Sequence, residues 1–190
     1  MLIQPLPSHG PWDQGISLDR HTVFSTPIGL NAQGHMQFEI LRTDIGEALF
    51  QLKHRDDYRQ VAFLARSVAA ALAGQRFDLV IPMPASRQRP CQPVHEVARQ
   101  VAVLLGSTYS DQLLLKTWNT AMMSDLANYE QRAKALAGCF IVNDTLRHGA
   151  DVLLLDDLVD TGASLEAACT ALRECASIRS ISLVAMTRRH

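Results

Sequence analysis

The run Val152-Leu153-Leu154-Leu155, followed at once by Asp156-Asp157 and then by Asp160-Thr161-Gly162-Ala163-Ser164, is the feature that most limits what this chain can become. Consecutive apolar residues with no polar alternation fit a strand covered on both faces, as central parallel strands are. The strand is expected to stop at Leu155, and an apolar helix to run from about Leu165 to Cys175. Strand, turn and helix in that order form the unit of an open α/β sheet. In such sheets ligands bind beyond the carboxyl ends of the strands, where a helix N-terminus offers free N–H groups.

The residues in the turn narrow the ligand. Thr161, Gly162, Ala163 and Ser164 can wrap N–H and hydroxyl donors around a phosphate, and Gly162 permits the close backbone approach this needs. A carboxylate pair repels phosphate, so Asp156 and Asp157 suit sugar hydroxyls, or a magnesium ion held partly through water. An ordinary strand-to-helix turn needs one capping side chain, which would explain one of these residues and not the set. Phosphate cradle beside diol acceptors describes a ribose 5-phosphate site.

The chain can bury one substantial core at 190 residues and 47% hydrophobic content. With 18 basic against 19 acidic residues it carries no electrostatic footprint for nucleic acid. No apolar run approaches the roughly twenty residues of a membrane helix, and a cytoplasmic protein is expected. Cys91, Cys139, Cys169 and Cys175 lack paired zinc-site spacing and are expected as reduced thiols.

Residues 1–42 are punctuated by Pro and Gly, with extended pieces at Ile16 to Ser25 and His35 to Ile40, and are expected to form a small N-terminal hood of hairpins. Trp12, Asp13 and Asp19-Arg20-His21 are its candidates to face a ligand. Residues 43–190 are expected to form the α/β core. Thr43 or Asp44 caps a helix whose apolar face is Ile45, Leu49 and Leu52, and Lys53-His54-Arg55 at its end can add positive potential. A second helix starts near Tyr58 and stops at Gly74. The strand Phe77 to Ile81 delivers a stiff, cationic loop, Pro82 to Pro90. A helix from Val94 to Leu105 follows, with Val94, Val97, Ala98, Val101 and Leu104 facing the sheet. A short apolar run at Leu113 to Leu115, an aperiodic middle at Asn119 to Asn128, a strand at Cys139 to Val142 and a last strand at Ile181 to Met186 complete the chain.

The segment from Val152 to Ser164 resembles the 5-phosphoribosyl 1-pyrophosphate (PRPP) signature of the type I phosphoribosyltransferases: an apolar run, two acids, two spacers, Asp-Thr-Gly, one spacer, then Thr or Ser. The resemblance implies a type I phosphoribosyltransferase-like fold, a parallel sheet flanked by helices on both faces. It implies that Asp156 and Asp157 hold the ribose hydroxyls and any metal contact, and that Asp160 through Ser164 hold the 5′-phosphate. Asp160 is the nearest candidate for a general base. It further implies a pyrophosphate loop at Pro84, Ala85, Ser86 and Arg87, and a mobile loop after Lys116 offering Lys116, Asn128, Tyr129 and Arg132 to the ligand. The implied reaction passes the phosphoribosyl group to or from a nitrogen acceptor, with Mg²⁺ carried mainly by the ligand and pyrophosphate leaving. Homodimerisation is left open.

Further stretches narrow the resemblance. Leu18-Asp19-Arg20-His21-Thr22, Gly46-Glu47, Leu52-Lys53-His54-Arg55-Asp56-Asp57, Pro82-Met83-Pro84, Gln92-Pro93-Val94 and Tyr129-Glu130-Gln131-Arg132 are similar to the ComF-like branch, here without its four-cysteine zinc module. Two other roles stay open: a non-catalytic sensor of PRPP or a nucleotide, and an accessory factor in DNA uptake or processing.

Overall fold

The computed structural model describes residues 1–7, 10–86, 89–117 and 138–189. The chain has an α/β architecture, a central and mostly parallel sheet with helices on both faces, as the sequence leads one to expect.

Strands β1 (Gln4–Pro5), β2 (Gln14–Arg20), β3 (Thr22–Leu30) and β4 (Met36–Arg42) come first. Helix α1 (Asp44–Arg55), a 3₁₀ turn at Tyr58–Gln60 and helix α2 (Val61–Ala71) lead to β5 (Leu79–Pro82). Helix α3 (Pro93–Leu105) precedes β6 (Thr108–Tyr109) and β7 (Leu114–Lys116). The described chain ends with β8 (Phe140–Val142), β9 (Ala150–Val159), α4 (Ala163–Arg173) and β10 (Ile178–Arg188). The main sheet has the order β1-β2-β10-β9-β5-β6, parallel throughout except for the β1 edge.

Val152 to Leu155 are fully buried, and their side chains alternate between two cores. Leu153 and Leu155 pack with α1, α2 and α3; Val152 and Leu154 pack with α4 and the β7–β8 ribbon. Cys139 and Cys169 are buried within the second core, and all four cysteines are free thiols. Helix α1 begins at Thr43, whose hydroxyl accepts from the Gly46 amide at 3.0 Å and donates to the Arg20 carbonyl at 2.6 Å. Gly46 is required there, since a Cβ would lie 2.1 Å from the His21 carbonyl oxygen. Among the described residues no helix is long and apolar enough to cross a membrane.

The structure corrects several expectations. Residues 14–20 do not belong to a hood. They form β2, which pairs in parallel with β10 from Gln14–Ser182 to Arg20–Arg188, while β3 and β4 form a separate two-stranded sheet. The strand carrying the acids does not stop at Leu155. It continues to Val159 because β10 still supports it, with Ala185 opposite Asp156 and Arg188 opposite Val159. The helix after the turn starts at Ala163 and ends at Arg173. On α3, Ala102 is buried and Leu104 exposed, because the inward stripe advances in steps of four from Val97 and Ala98. The aperiodic middle, Asn119 to Asn128, and the site candidates Arg87, Asn128, Tyr129 and Arg132 lie outside the described residues.

Candidate functional site

β5 and β9 pair from Leu79–Val152 to Pro82–Leu155, and the Met83 amide donates to the Leu155 carbonyl at 2.8 Å. Beyond that point β5 turns away through Met83, Pro84 and Ala85, while β9 runs on beside β10 alone. The gap left on the unpaired side of β9 is a cavity of about 480 Å³. Its floor is β9 and the turn after it, from Asp156 to Gly162 with Ser164. The opposite wall is the chain leaving β5, Met83 to Ser86, with Arg89 and the start of α3 beyond it. Lys53 from α1, Lys116 from β7 and Arg189 after β10 close the sides. The structure gathers Asp156, Asp157, Asp160, Thr161, Gly162, Ser164, Pro84, Ala85, Ser86 and Lys116 around one space. Ala163 is buried behind the turn as the first residue of α4.

Alternation along the strand sends the twin acids to opposite faces, and both still border the cavity. Asp157 faces α1 and forms an ion pair with Lys53. Asp156 faces the side of Lys116, and its Oδ1 accepts from the Asp157 amide at 2.8 Å. Burial, and then the Asp157 charge, push the Asp156 carboxyl up to about 7, against the Asp157 N–H and the cations Lys53 and Lys116. Burial lowers the Lys116 ammonium from its ordinary value. Lys116 Nζ donates to Ser86 Oγ at 3.2 Å, which ties β7 to the loop after β5.

Gly162 caps α4 with φ +82°, a left-handed conformation, and has no side chain of its own to cap the helix. The Ala163 amide donates to Thr161 Oγ1 at 3.5 Å. Asp160, the base candidate, accepts from Arg189 Nη1 at 3.0 Å, so its carboxylate lies in a salt bridge.

Sequence reasoning missed two cationic contributors, Arg89 and Arg189, and one smaller cavity. Arg89, not singled out in its loop, donates from Nη1 to the Lys53 carbonyl at 2.7 Å and borders the site. Lys53, among the residues expected to add positive potential, and Arg189, which follows β10, both line the site. Of the hood candidates, Trp12 packs beside α4 and Asp13 pairs with Arg173 at 2.6 Å, away from the cavity. Asp19 is buried and pairs with the Met1 amine at 3.4 Å. His21 lines the second cavity, of about 200 Å³, which shares Lys53, Leu158 and Arg189 with the first.

No protein-family model and no curated protein matches this chain. Solved structures align to it at low identity. Adenine phosphoribosyltransferase from Thermoanaerobacter pseudethanolicus aligns at 19% identity over 79% of this chain and 77% of its own, with a TM-score of 0.47. UMP synthase from Leishmania donovani aligns at 15% identity over 86% of this chain and 27% of its own, at 0.42. Another adenine phosphoribosyltransferase aligns at 12% identity over 88% and 94%, at 0.43. With scores this low, the function proposed below rests on the site's own residues.

Proposed function

We propose that this chain binds PRPP with Mg²⁺ in the cavity between β5 and β9 and transfers its phosphoribosyl group to or from a nitrogen acceptor. The carrying observation is that one cavity brings together a glycine turn at a helix N-terminus, two adjacent carboxylates, and a separate wall with Lys116, Ser86 and Arg89. A phosphate at one end, a diol in the middle and a second anionic group at the other are what those three parts select.

In the forward transfer the acceptor nitrogen's lone pair forms the new bond to C1 as the bond from C1 to the pyrophosphate oxygen breaks. Pyrophosphate leaves with that electron pair, and an acceptor N–H proton passes to the departing pyrophosphate or to water. Positive charge develops on the ribose ring, so the protein's work is orientation, charge placement and exclusion of water. Thr161 to Ser164 hold the 5′-phosphate, Asp156 and Asp157 take the hydroxyls, and Lys116, Ser86 and Arg89 receive the pyrophosphate. Among the described residues no group of three or more His, Cys, Asp or Glu is arranged to hold a metal. The oxygen donors of Asp156 and Asp157 fit Mg²⁺ if diphosphate oxygens and water complete the shell. When bound, Mg²⁺ would neutralise charge on the leaving pyrophosphate. The proposal extends to the ComF-like branch and a cytoplasmic setting, which rest on sequence alone.

The test is pyrophosphate release from PRPP and Mg²⁺ with a panel of nitrogen bases, alongside a thermal-shift titration with ribose 5-phosphate. Release that Asp157→Asn abolishes supports transfer. Saturable ribose 5-phosphate binding with no release on any acceptor would replace the enzyme by a sensor, and no binding at all would end the reading.

A further inference from the structure

Strands β3 and β4 form a ribbon that the described residues leave bare. No residue of either strand is buried, and eight large apolar side chains on them, Phe24, Leu30, Met36 and Phe38 included, are 44 to 66% exposed. A two-stranded ribbon with nothing packed on it is marginal in water, and a further strand or a covered face is what stabilises one. At roughly half of about 150–200 Å² per side chain, the eight present on the order of 700 Å² to solvent. That exceeds the largest apolar patch of a typical monomer, about 300–600 Å², and approaches the roughly 800 Å² each partner contributes to a standard interface.

The two edges of the ribbon differ. β3 carries Pro27 and has an extra residue at Val23 and again at Ile28, whereas β4 pairs without a break from Met36 to Leu41. Proline and bulges blunt an edge, while a straight apolar strand without Lys or Pro is a template for another strand. Among the described residues no strand pairs with the outer side of β4. Alternation puts Met36, Phe38 and Ile40 on one face, with Leu30 and Pro27 of β3 beside them, and Gln37 and Glu39 on the other. That pattern reads the same in both directions from Phe38. From Thr22 to Leu41, with histidine neutral, Glu39 is the one charged residue, so the ribbon offers little to an oppositely charged partner and much to a copy of itself.

We propose that two copies of this chain associate through β4, antiparallel about a two-fold axis at Phe38, so that two bare ribbons become one four-stranded sheet. In that register Phe38 lies opposite its own counterpart, Met36 opposite the partner's Ile40, and Gln37 opposite the partner's Glu39. Apolar pairs meet on one face, and on the other each Gln37 amide meets a carboxylate. A seam centred on Glu39 would oppose two carboxylates, and a seam centred between residues would set each apolar side chain against a polar one. The inference does not depend on the transfer reading.

The full chain is measured by sedimentation velocity over a range of concentrations, and a reversible dimer is expected. Phe38→Lys, which sets two cations face to face, should weaken it about tenfold or more. Gln37→Lys, which sets each new cation against the partner's Glu39, should tighten it about threefold. Both positions are exposed, so the fold should be kept, and unchanged far-ultraviolet circular dichroism checks this. In a Cys91→Ser background, which removes the exposed native thiol, Phe38→Cys should form an intermolecular disulfide on mild oxidation and Gln37→Cys should not. A monomer at every concentration overturns the inference, and a ribbon covered by a different protein or by another part of this chain would give that result. A dimer that Phe38→Lys leaves intact, that Gln37→Lys fails to tighten, or that Phe38→Cys does not link places the seam elsewhere and overturns it as well.

Discussion

Asp156→Asn should make the ligand-free protein more stable, and only on the alkaline side. The Asp156 carboxyl is raised from an ordinary 3.8 to about 7, chiefly by burial and then by the neighbouring Asp157 charge. When both folded and unfolded states hold the proton, at low pH, ionisation costs the fold nothing. As pH climbs from 3.8 toward about 7, the unfolded chain ionises while the folded one keeps its proton, and stability is lost progressively until both are ionised. Rising from 3.8 to about 7 corresponds to at most about 4 kcal/mol at full ionisation. Asp156 and Asp157 titrate as a pair, so a gain of about 1 to 4 kcal/mol is the working range. Asn keeps an oxygen to accept the Asp157 amide, so the local backbone bond survives. In a chain of this size that range is a rise in melting midpoint of roughly 2 to 16 °C. The assay is thermal and urea denaturation of both proteins in chelator-treated buffer, at about pH 3.5 and about pH 8.5. The variant should exceed the parent at the higher pH and match it near the lower. An equal difference at both, or a loss at the higher pH, would refute the reasoning that Asp156 is a strained carboxylate.

Three other substitutions test the site's construction. Lys53→Met leaves Asp157 without its ion-pair partner; combined with Asp157→Asn in a double-mutant cycle measured by urea unfolding, the pair should show a coupling of about 1 to 2 kcal/mol. Gly162→Ala forces a side chain to φ +82° and should cost about 1 to 2 kcal/mol in urea unfolding while weakening ribose 5-phosphate binding in a thermal-shift titration. Gly46→Ala brings a Cβ to 2.1 Å from the His21 carbonyl oxygen and should lower stability by about 1 to 3 kcal/mol, read from the urea midpoint.

Local chemistry was the legible part of the sequence. An unbroken apolar run fits a doubly covered strand, Thr43, one of two candidate caps, begins α1, and Gly106 ends α3 at φ +68°. The glycine turn and its acids were readable for the same reason, since phosphate and diol recognition require those groups close in sequence. Long-range partnership was hidden. The alternation at Ile16-Ser17-Leu18 marks a strand but cannot name β10 as its neighbour, so residues 14–20 read as part of a hood. Asp156 to Val159 read as loop because polar residues hide a strand whose support comes from one side only. Lys53, Arg89 and Arg189 sit on three distant elements, and nothing in their spacing reveals a common focus.

The seating of β2 bears on how the molecule assembles. The Gln14 side chain donates to Ser182 Oγ at 2.9 Å across a separation of 168 residues, so this edge can close only after β10 has formed. Closing it sets His21, whose amide donates to the Arg188 carbonyl at 2.8 Å. The smaller cavity, which His21 lines, thus depends on a strand pairing that joins the two ends of the chain.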